Sequence, residues 1–252
     1  MVERLSGWGV LEVALGGGEP TVCPDLGDIL LAIRATGMVP NITTNGQSMT
    51  RTQATALAEA CGCVQVSLDR PDILDVYRGT GVTERALGTA SLLHDAGVPI
   101  GANLLLVPEN LRNIERSLDF IERAGIQRVT LLRPLGAAGG RWQRGWPGAA
   151  DWDVLRSSIL AWVAREPAMT LELACGLSFL LDELPSDQRR RRLIFGCAGA
   201  RRLVALQPDG AIYPCSHLSS PTYRMGHILK DDLPIMWRQA QRWDVQWGCH
   251  VA

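Results

Sequence analysis

The chain has 252 residues, of which 46% are hydrophobic and 20% are charged, and its formal net charge is −1 at pH 7. This composition is typical of a globular protein, and a nearly neutral chain has no broad electrostatic attraction for nucleic acid or an anionic membrane. The length suits one large domain, or one with a small appendage. The longest apolar stretch, around Leu104, has only the length of a strand, and no leader is recognisable after Met1. We therefore expect a cytoplasmic protein without a membrane anchor.

Strand-like and helix-like segments alternate along the first 175 residues of the chain. Apolar and β-branched runs predict six strands, at 10–15, 39–43, 64–68, 100–107, 128–132 and 169–174. Helical periodicity predicts five helices, at 24–37, 51–60, 83–96, 110–124 and 152–165. Repeated strand–helix units predict parallel strands, and the apolar character of the strands predicts burial on both faces of the sheet.

The number of strands decides between a closed and an open arrangement. A closed eight-stranded barrel takes about 250 residues by itself, whereas the alternating segments here end near residue 175. We therefore expect an α/β fold over residues 1–185, built as an open or partial (β/α)6-type parallel barrel.

The character of the sequence changes from residue 186 onward, beginning with the basic stretch SDQRRRRLIFG. The segment RRLVALQPDGAIYPCSH predicts two short strands joined by a Pro-Asp-Gly turn, and a short helix is expected at 231–241. We expect residues 186–252 to form a small second module that consists of a β-hairpin and a helix. The arginine run at 189–192 is interpreted as a solvated face.

Seven cysteines are spread along the chain, at positions 23, 61, 63, 175, 197, 215 and 249. The odd number and the expected reducing compartment argue against a disulfide framework. Some of these thiols are expected to lie in the core and others to bind metal. Cys23, Cys61, Cys63 and Cys175 are interpreted as structural.

The residues just after the predicted strands are the most informative, because ligands of parallel strand–helix folds lie at the carboxyl ends of the strands. The first such segment is GGGEP, at Gly16–Pro20, followed by TTNG at 43–46 and SLD at 67–69. Glycine lets backbone amides approach a ligand closely, and amides near a helix start bind anions, whereas Glu19 can bind a cation. A ligand that carries both an ammonium and a carboxylate would use both. Taken singly, each segment is also compatible with an ordinary turn.

Taken in order, GGGEP, ITTNG, VSLD and the tripeptide YRG at 77–79 resemble the strand-end motifs of the radical S-adenosylmethionine (SAM) superfamily. The resemblance covers nearly the whole chain, and it implies SAM as a cofactor and a partial barrel that lacks the first strand of the family. The residues that would contact SAM are Gly17, Gly18, Glu19 and Pro20 for the amino group, Thr44 and Asn45 for the methionine and ribose, Ser67 and Asp69 for the ribose or carboxylate, Arg78 for the carboxylate, and Val107 and Leu132 for the adenine. Arg78 could instead be a solvated surface residue, and Val107 and Leu132 could equally be packed in the core.

The C-terminal module carries a second resemblance. Cys197, Gly210 and Cys215 have the spacing with which the SPASM and Twitch modules of this superfamily begin. This resemblance implies an auxiliary 4Fe–4S cluster, with Cys249 as a third ligand and a fourth ligand from elsewhere, and it implies the type of maturase that modifies peptides or proteins. The alternative is that Cys197 and Cys215 are buried thiols or a zinc pair.

The cluster-binding motif of the superfamily, CxxxCxxC, does not occur in the 252 residues. In the family it lies on the loop after the first strand, ahead of the GGEP motif, whereas here GGEP begins at Gly17 and no cysteine precedes Cys23. Two explanations are open: an N-terminally truncated form of an active enzyme, or a degenerate member. In both cases the lost strand would leave an exposed sheet edge, for which we expect low stability or pairing with another chain.

The resemblance implies an enzyme that cleaves SAM reductively to methionine and a 5′-deoxyadenosyl radical, which takes a hydrogen atom from a peptide or protein. Because CxxxCxxC is lacking, we expect this chain to be inactive by itself. The alternative is a non-catalytic member that binds SAM or a peptide. A SAM-dependent methyltransferase is disfavoured, since the strand ends do not carry G-x-G-x-x-G. Nucleic acid and membranes are not expected as partners.

Overall fold

The computed structural model describes residues 1–133, 149–174, 177, 180 and 198–240. Six strands form the larger of its two sheets: β1 Glu12–Leu15, β2 Val39–Thr44, β3 Cys63–Ser67, β4 Ile100–Leu105, β5 Arg128–Leu132 and β6 Thr170–Leu173. They run parallel, in the order β1-β2-β3-β4-β5-β6. The predicted α/β fold, a partial (β/α)6-type parallel barrel, is therefore confirmed, and each strand overlaps the segment predicted for it.

The helices described around this sheet are α1 Val2–Gly7, α2 Leu26–Ala35, α3 Arg51–Ala60, α4 Pro71–Arg78, α5 Val82–Asp95, α6 Pro108–Leu111, α7 Ile114–Arg123 and α8 Ala149–Ala164. α3 begins at a capping box, in which the Thr50 side chain and the Gln53 side chain each accept the other residue's backbone N–H, at 3.2 and 2.9 Å. None of the helices in the described ranges is long and apolar enough to cross a membrane.

Two helical segments differ from the prediction. α4 forms where an irregular loop is expected, because Pro71 occupies its first turn, where a backbone N–H has no helical partner. The helix expected over 110–124 is divided into α6 and α7, because Asn113 has a non-helical ψ of 35° between them. Both differences lie at the carboxyl ends of β3 and β4, the edge of the sheet where a ligand is expected.

The two faces of the main sheet differ in character. One face packs against the helices and is largely buried; its fully buried residues are Ile42, Val64, Val66, Ala102, Leu104, Val129, Leu131 and Leu171. The alternate residues point to the opposite side, and they include Asn41, Thr43, Cys63, Gln65, Ser67, Asn103, Thr130 and Glu172, which are half-buried or exposed. We call this second set the polar face. The expectation that both faces are buried is therefore wrong, because only one face of these strands is apolar throughout.

β1 lies at the edge of the main sheet and pairs only with β2 in the part of the chain that the structure describes. Leu11, just before it, is 79% exposed, and Glu12 and Ala14 are exposed as well. The predicted exposed edge is thus present in the described residues. The expected consequences, low stability or pairing with another chain, stay predictions.

Residues 198–240 form a small antiparallel sheet of β7 Ala205–Leu206, β8 Ala211–Tyr213 and β9 Gly226–His227, followed by α9 Leu233–Ala240. The predicted hairpin is confirmed, and β9 adds a strand that the sequence analysis missed. Gly210 has φ +84° in the turn, and a Cβ there would lie 2.8 Å from the His227 ring. Trp8, just beyond α1, packs with Ile228 in the apolar cluster of this small sheet. The predicted domain boundary at 185 lies outside the described residues.

Candidate functional site

The end of β1 presents bare backbone to its surroundings. Gly16, Gly17 and Gly18 are exposed, and a Cβ built on any of them meets no other atom within 4 Å. Gly17 has φ +113°, a conformation that side-chain-bearing residues rarely adopt. The glycine loop is therefore an open backbone surface with room for a ligand, followed at once by Glu19 and the short 3-10 turn Pro20–Val22.

The Glu19 carboxylate joins the end of β1 to the end of β2. Its Oε1 accepts hydrogen bonds from Thr44 Oγ1 at 2.6 Å and from Thr21 Oγ1 at 2.7 Å. Its Oε2 accepts the backbone N–H of Asn45 at 2.7 Å. Thr44 is itself buried, 1% exposed, and accepts the Gly46 N–H. Three of the residues predicted to contact SAM, Glu19, Thr44 and Asn45, are therefore brought together.

The environment of Glu19 keeps its carboxylate charged. Burial tends to raise its pKa, but the hydrogen bonds from Asn45, Thr44 and Thr21 outweigh this effect, and the pKa lies below its ordinary value of 4.5. A carboxylate can accept about four hydrogen bonds, and the bonds above are concentrated on Oε1. Oε2 therefore keeps capacity for a further donor, such as an ammonium, next to the open glycine backbone.

The two polar residues that follow β3 lie in different surroundings. Ser67 is half-buried on the polar face, whereas Asp69 is 4% exposed. Asp69 Oδ1 accepts the Arg70 N–H at 2.7 Å, and Oδ2 accepts a bond of 2.7 Å from Asn110 Nδ2. Burial raises the pKa of Asp69, and the hydrogen bonds and the charge of Arg70 oppose this only in part. The SAM contacts predicted for Ser67 and Asp69 stay predictions, and Asp69 is engaged with the protein.

The remaining predicted SAM contacts do not bond to one another. Arg78 is the last residue of α4 and is exposed, without a hydrogen bond or ion pair to the described part of the chain. Val107 is 2% exposed and donates its N–H to Asn110 Oδ1 at 2.9 Å. Leu132 is half-buried at the end of β5, in register with Leu105. The roles of Arg78, Val107 and Leu132 stay predictions.

A row of polar side chains crosses the polar face. Ser67, Asn103, Thr130 and Glu172 lie in register on four neighbouring strands, β3 to β6. Thr130 Oγ1 donates to Glu172 Oε2 at 3.1 Å, and Arg128 Nε lies 3.3 Å from the other Glu172 oxygen. The sequence analysis missed Asn103, Thr130 and Glu172. Their signal was the alternation of polar and apolar residues along each strand.

The predicted cysteine ligands are mostly outside the described ranges. Cys197 and Cys249 are among these residues, as are Cys175 and the arginine run at 189–192. Cys215 follows β8 and packs, half-buried, in a cluster with Leu218. Within residues 1–133, 149–174 and 198–240, no three His, Cys, Asp or Glu side chains are grouped so as to hold a metal. The auxiliary cluster predicted for Cys197, Cys215 and Cys249 stays a prediction.

The turn that begins at Cys215 contains a histidine whose pKa is shifted. Leu218 donates its N–H to the Cys215 carbonyl, and this turn contains His217. Partial desolvation and the positive charge of Arg133 lower the pKa of His217.

Comparison with known proteins identifies a family model and several relatives of this chain. A family model described as the radical SAM superfamily matches residues 1–121. The mycofactocin maturase MftC of Mycobacterium tuberculosis (strain ATCC 25618 / H37Rv) is 30% identical over 239 residues, and the PqqA peptide cyclase of Ruegeria pomeroyi is 28% identical over 215 residues. The two alignments cover 92% and 82% of this chain, but 59% and 55% of those proteins. The chain therefore spans between half and two thirds of the length of these relatives.

Solved structures share the fold over almost the full chain. Streptococcus suis SuiB bound to S-adenosylmethionine aligns with a TM-score of 0.73 and 22% identity, over 98% of this chain and 58% of the SuiB chain. The structure of anSMEcpe with bound AdoMet aligns with a TM-score of 0.72 and 16% identity, over 99% of this chain and 71% of the other. At these identities the likeness establishes a common fold.

Proposed function

We propose that this chain, whose residues 1–121 match the radical SAM superfamily, forms the SAM-binding core of an enzyme that modifies a peptide or protein. The observation that carries this proposal is the Glu19 carboxylate, held in its charged state by Thr44 and Asn45 beside the open glycine backbone. An anionic acceptor next to unobstructed amides suits the ammonium and carboxylate of the methionine part of SAM.

The residues at the strand ends have distinct tasks in this proposal. Glu19 Oε2 accepts the SAM ammonium, and the backbone of Gly17 and Gly18 lies along the methionine. Asn45 and Ser67 bind the ribose, and Arg78, exposed at the end of α4, reaches the carboxylate with its guanidinium. In this superfamily SAM supplies the carbon radical that removes a hydrogen atom from the substrate.

The residues of this chain do not fit the radical-generating cluster. CxxxCxxC does not occur in the 252 residues, and no group of three possible metal ligands is present among the described ones. Reductive cleavage of SAM is therefore not assigned to any residue of this chain. The auxiliary 4Fe–4S cluster proposed for Cys197, Cys215 and Cys249 would use thiolates, which are suitable ligands for iron–sulfur clusters.

The proposed substrate class is a peptide. The names of the two relatives, a maturase and a peptide cyclase, support this class, as does the structure of SuiB bound to precursor peptide SuiA. The polar face adds support from this chain, because its half-buried hydroxyl, amide and carboxylate groups can exchange hydrogen bonds with the polar groups of a peptide.

The test is the affinity of the purified protein for SAM, measured by isothermal titration calorimetry. The Glu19→Gln variant removes the charge and should weaken SAM binding by about tenfold or more. Glu59→Gln, an exposed carboxylate on α3, is the matched control and should bind as the parent does. A parent protein that does not bind SAM, or a Glu19→Gln variant that binds it equally well, would overturn the proposal.

A second candidate is a non-catalytic SAM- or peptide-binding protein, in which the charged Glu19 beside open backbone would bind SAM without chemistry. Anaerobic reconstitution with iron, sulfide and dithionite, carried out on this chain joined to a segment that supplies CxxxCxxC, separates the two functions. An enzyme releases 5′-deoxyadenosine, which is measured by mass spectrometry, and retains iron after desalting. A binding protein binds SAM, retains no iron after desalting and releases no 5′-deoxyadenosine.

A further inference from the structure

We propose that Asp69 and Asn110 form a buried pair that positions Val107 for SAM, and that Asp69 does not touch SAM itself. The role toward SAM rests on the proposed function, in which Val107 flanks the adenine. The pair joins the segment after β3 to the segment after β4, two parts of the chain that are 41 residues apart.

The geometry of Asp69 leaves little for a ligand. The residue is 4% exposed, and each of its carboxylate oxygens accepts a hydrogen bond of 2.7 Å, one from Arg70 N and one from Asn110 Nδ2. The carboxylate could accept further hydrogen bonds, but a ribose hydroxyl would have to open the surrounding packing to reach it. Such an opening is costly, because it exposes apolar neighbours and disturbs donors that are buried with the carboxylate.

The side chain of Asn110 is fully used by the protein. It is 0% exposed; its Oδ1 accepts the Val107 N–H at 2.9 Å, and its Nδ2 donates to Leu105 O at 2.8 Å as well as to Asp69. The reversed amide would place a donor against the Val107 N–H and an acceptor against two oxygens, so only one orientation is compatible with these partners. Asn110 therefore fixes the backbone of Leu105 and Val107 where β4 ends and α6 begins.

A second, exposed bond joins the same two segments. The Tyr77 hydroxyl donates to Glu109 Oε2 at 2.5 Å. Glu109 and Asn110 are adjacent in the chain, and Tyr77 precedes Arg78. The segment after β4 is therefore bonded to the segment after β3 at two neighbouring residues, with Asp69–Asn110 as the buried bond.

The test compares Asp69→Asn, Asn110→Asp and the reciprocal double variant. In Asp69→Asn, the new NH2 group faces another donor in either orientation, the Arg70 N–H or the Asn110 NH2 group. In Asn110→Asp, two carboxylates face each other and repel. Each single variant should weaken SAM binding by about tenfold or more. In the double variant the new amide at 69 donates to the new carboxylate at 110, which still accepts the Val107 N–H. SAM affinity should then lie about threefold or more above that of either single variant and below that of the parent, because the bond across the pair returns while a carboxylate oxygen replaces the donor that faced Leu105 O.

A direct contact between SAM and the Asp69 carboxylate gives a different pattern. In that case the double variant lacks the carboxylate at 69 and stays as weak as Asp69→Asn, which would overturn the inference. Leu57→Ala, a core residue of α3 that is 1% exposed, is the control for general loss of stability. It should lower the melting temperature and leave SAM affinity unchanged. If Asn110→Asp fails to fold, Asp69→Asn and the double variant still give the comparison.

A readout without SAM separates this inference from the proposed function. Hydrogen–deuterium exchange at the Val107 amide should be faster in both single variants and slow again in the double variant, because that amide bonds to the side chain at 110. Equal exchange in the parent and both single variants would refute the pair's role. A parent that does not bind SAM but shows the exchange pattern would refute the proposed function and leave the positioning pair in place.

Discussion

The stability contribution of Glu19 should depend on pH in a defined direction. Glu19→Gln keeps one acceptor for Thr44 and Thr21, but it removes the charge and turns a donor toward the Asn45 N–H, which accepts nothing. Hydrogen bonds to charged groups contribute more than neutral ones, and the half-buried position reduces the gain. We expect the free energy of unfolding at pH 7 to fall by about 2 kcal/mol, and the melting temperature by roughly 4–8 °C for a chain of this size.

The sign follows from the lowered pKa of Glu19. Between its folded-state pKa and the ordinary value of 4.5, the unfolded chain binds the proton and the folded chain does not, so stability rises with pH in that window. Urea unfolding at a series of pH values should therefore show a constant deficit for Glu19→Gln above about pH 5. The deficit should shrink as the pH falls below 4.5, while the exposed control Glu59→Gln follows the parent throughout. A deficit that is absent at pH 7, or unchanged below the folded-state pKa, would refute the reasoning.

Further predictions concern positions away from the ligand. A Cβ at Gly62 would clash with the Cγ1 methyl of Val39, whereas a Cβ at Gly101 would meet only the movable end of the Gln65 side chain. Gly62→Ala should therefore lower the urea midpoint clearly more than Gly101→Ala, and equal midpoints would contradict this packing. Thr50→Ala removes the cap of α3 and should cost about 1 kcal/mol in the same assay, whereas Thr50→Ser should not. Burial raises the pKa of Cys61 to about 11, so iodoacetamide at pH 7.5 should label it only after unfolding; rapid labelling of the folded protein would show that the thiol is accessible.

The sequence contains the information for the order of the strands and for the glycine loop, because both depend on local signals. Apolar runs, helix caps such as Thr50 and the glycines after β1 act within a few residues of themselves. The polar face also has a local signal in the sequence, the alternation of apolar and polar residues in Val64, Gln65, Val66 and Ser67. The expectation that parallel strands are buried on both faces hides this signal. An alternating pattern in a parallel strand indicates an accessible face.

The pairing of Asp69 with Asn110 could not be found in this way. The two residues are 41 positions apart, and each has other plausible partners in the sequence, such as the neighbouring Arg70. Their bond depends on where α4 and α6 begin, and α4 was expected to be a loop. Contacts between the ends of different strands require the register of the sheet and the path of the connecting segments, which the periodicity of one segment does not contain.

Two carboxylates follow strands of the main sheet, Glu19 after β1 and Asp69 after β3, and their surroundings give them different capacities for a ligand. Glu19 is half-buried beside open backbone, its pKa is lowered, and Oε2 can accept a further donor. Asp69 is 4% exposed, burial raises its pKa, and both of its oxygens are bonded to the protein. A cationic group of a ligand can therefore reach Glu19 without loss of existing bonds, whereas it could reach Asp69 only by opening the packing around that side chain. The same side-chain chemistry at a strand end thus supports ligand binding in one place and positioning of the backbone in the other.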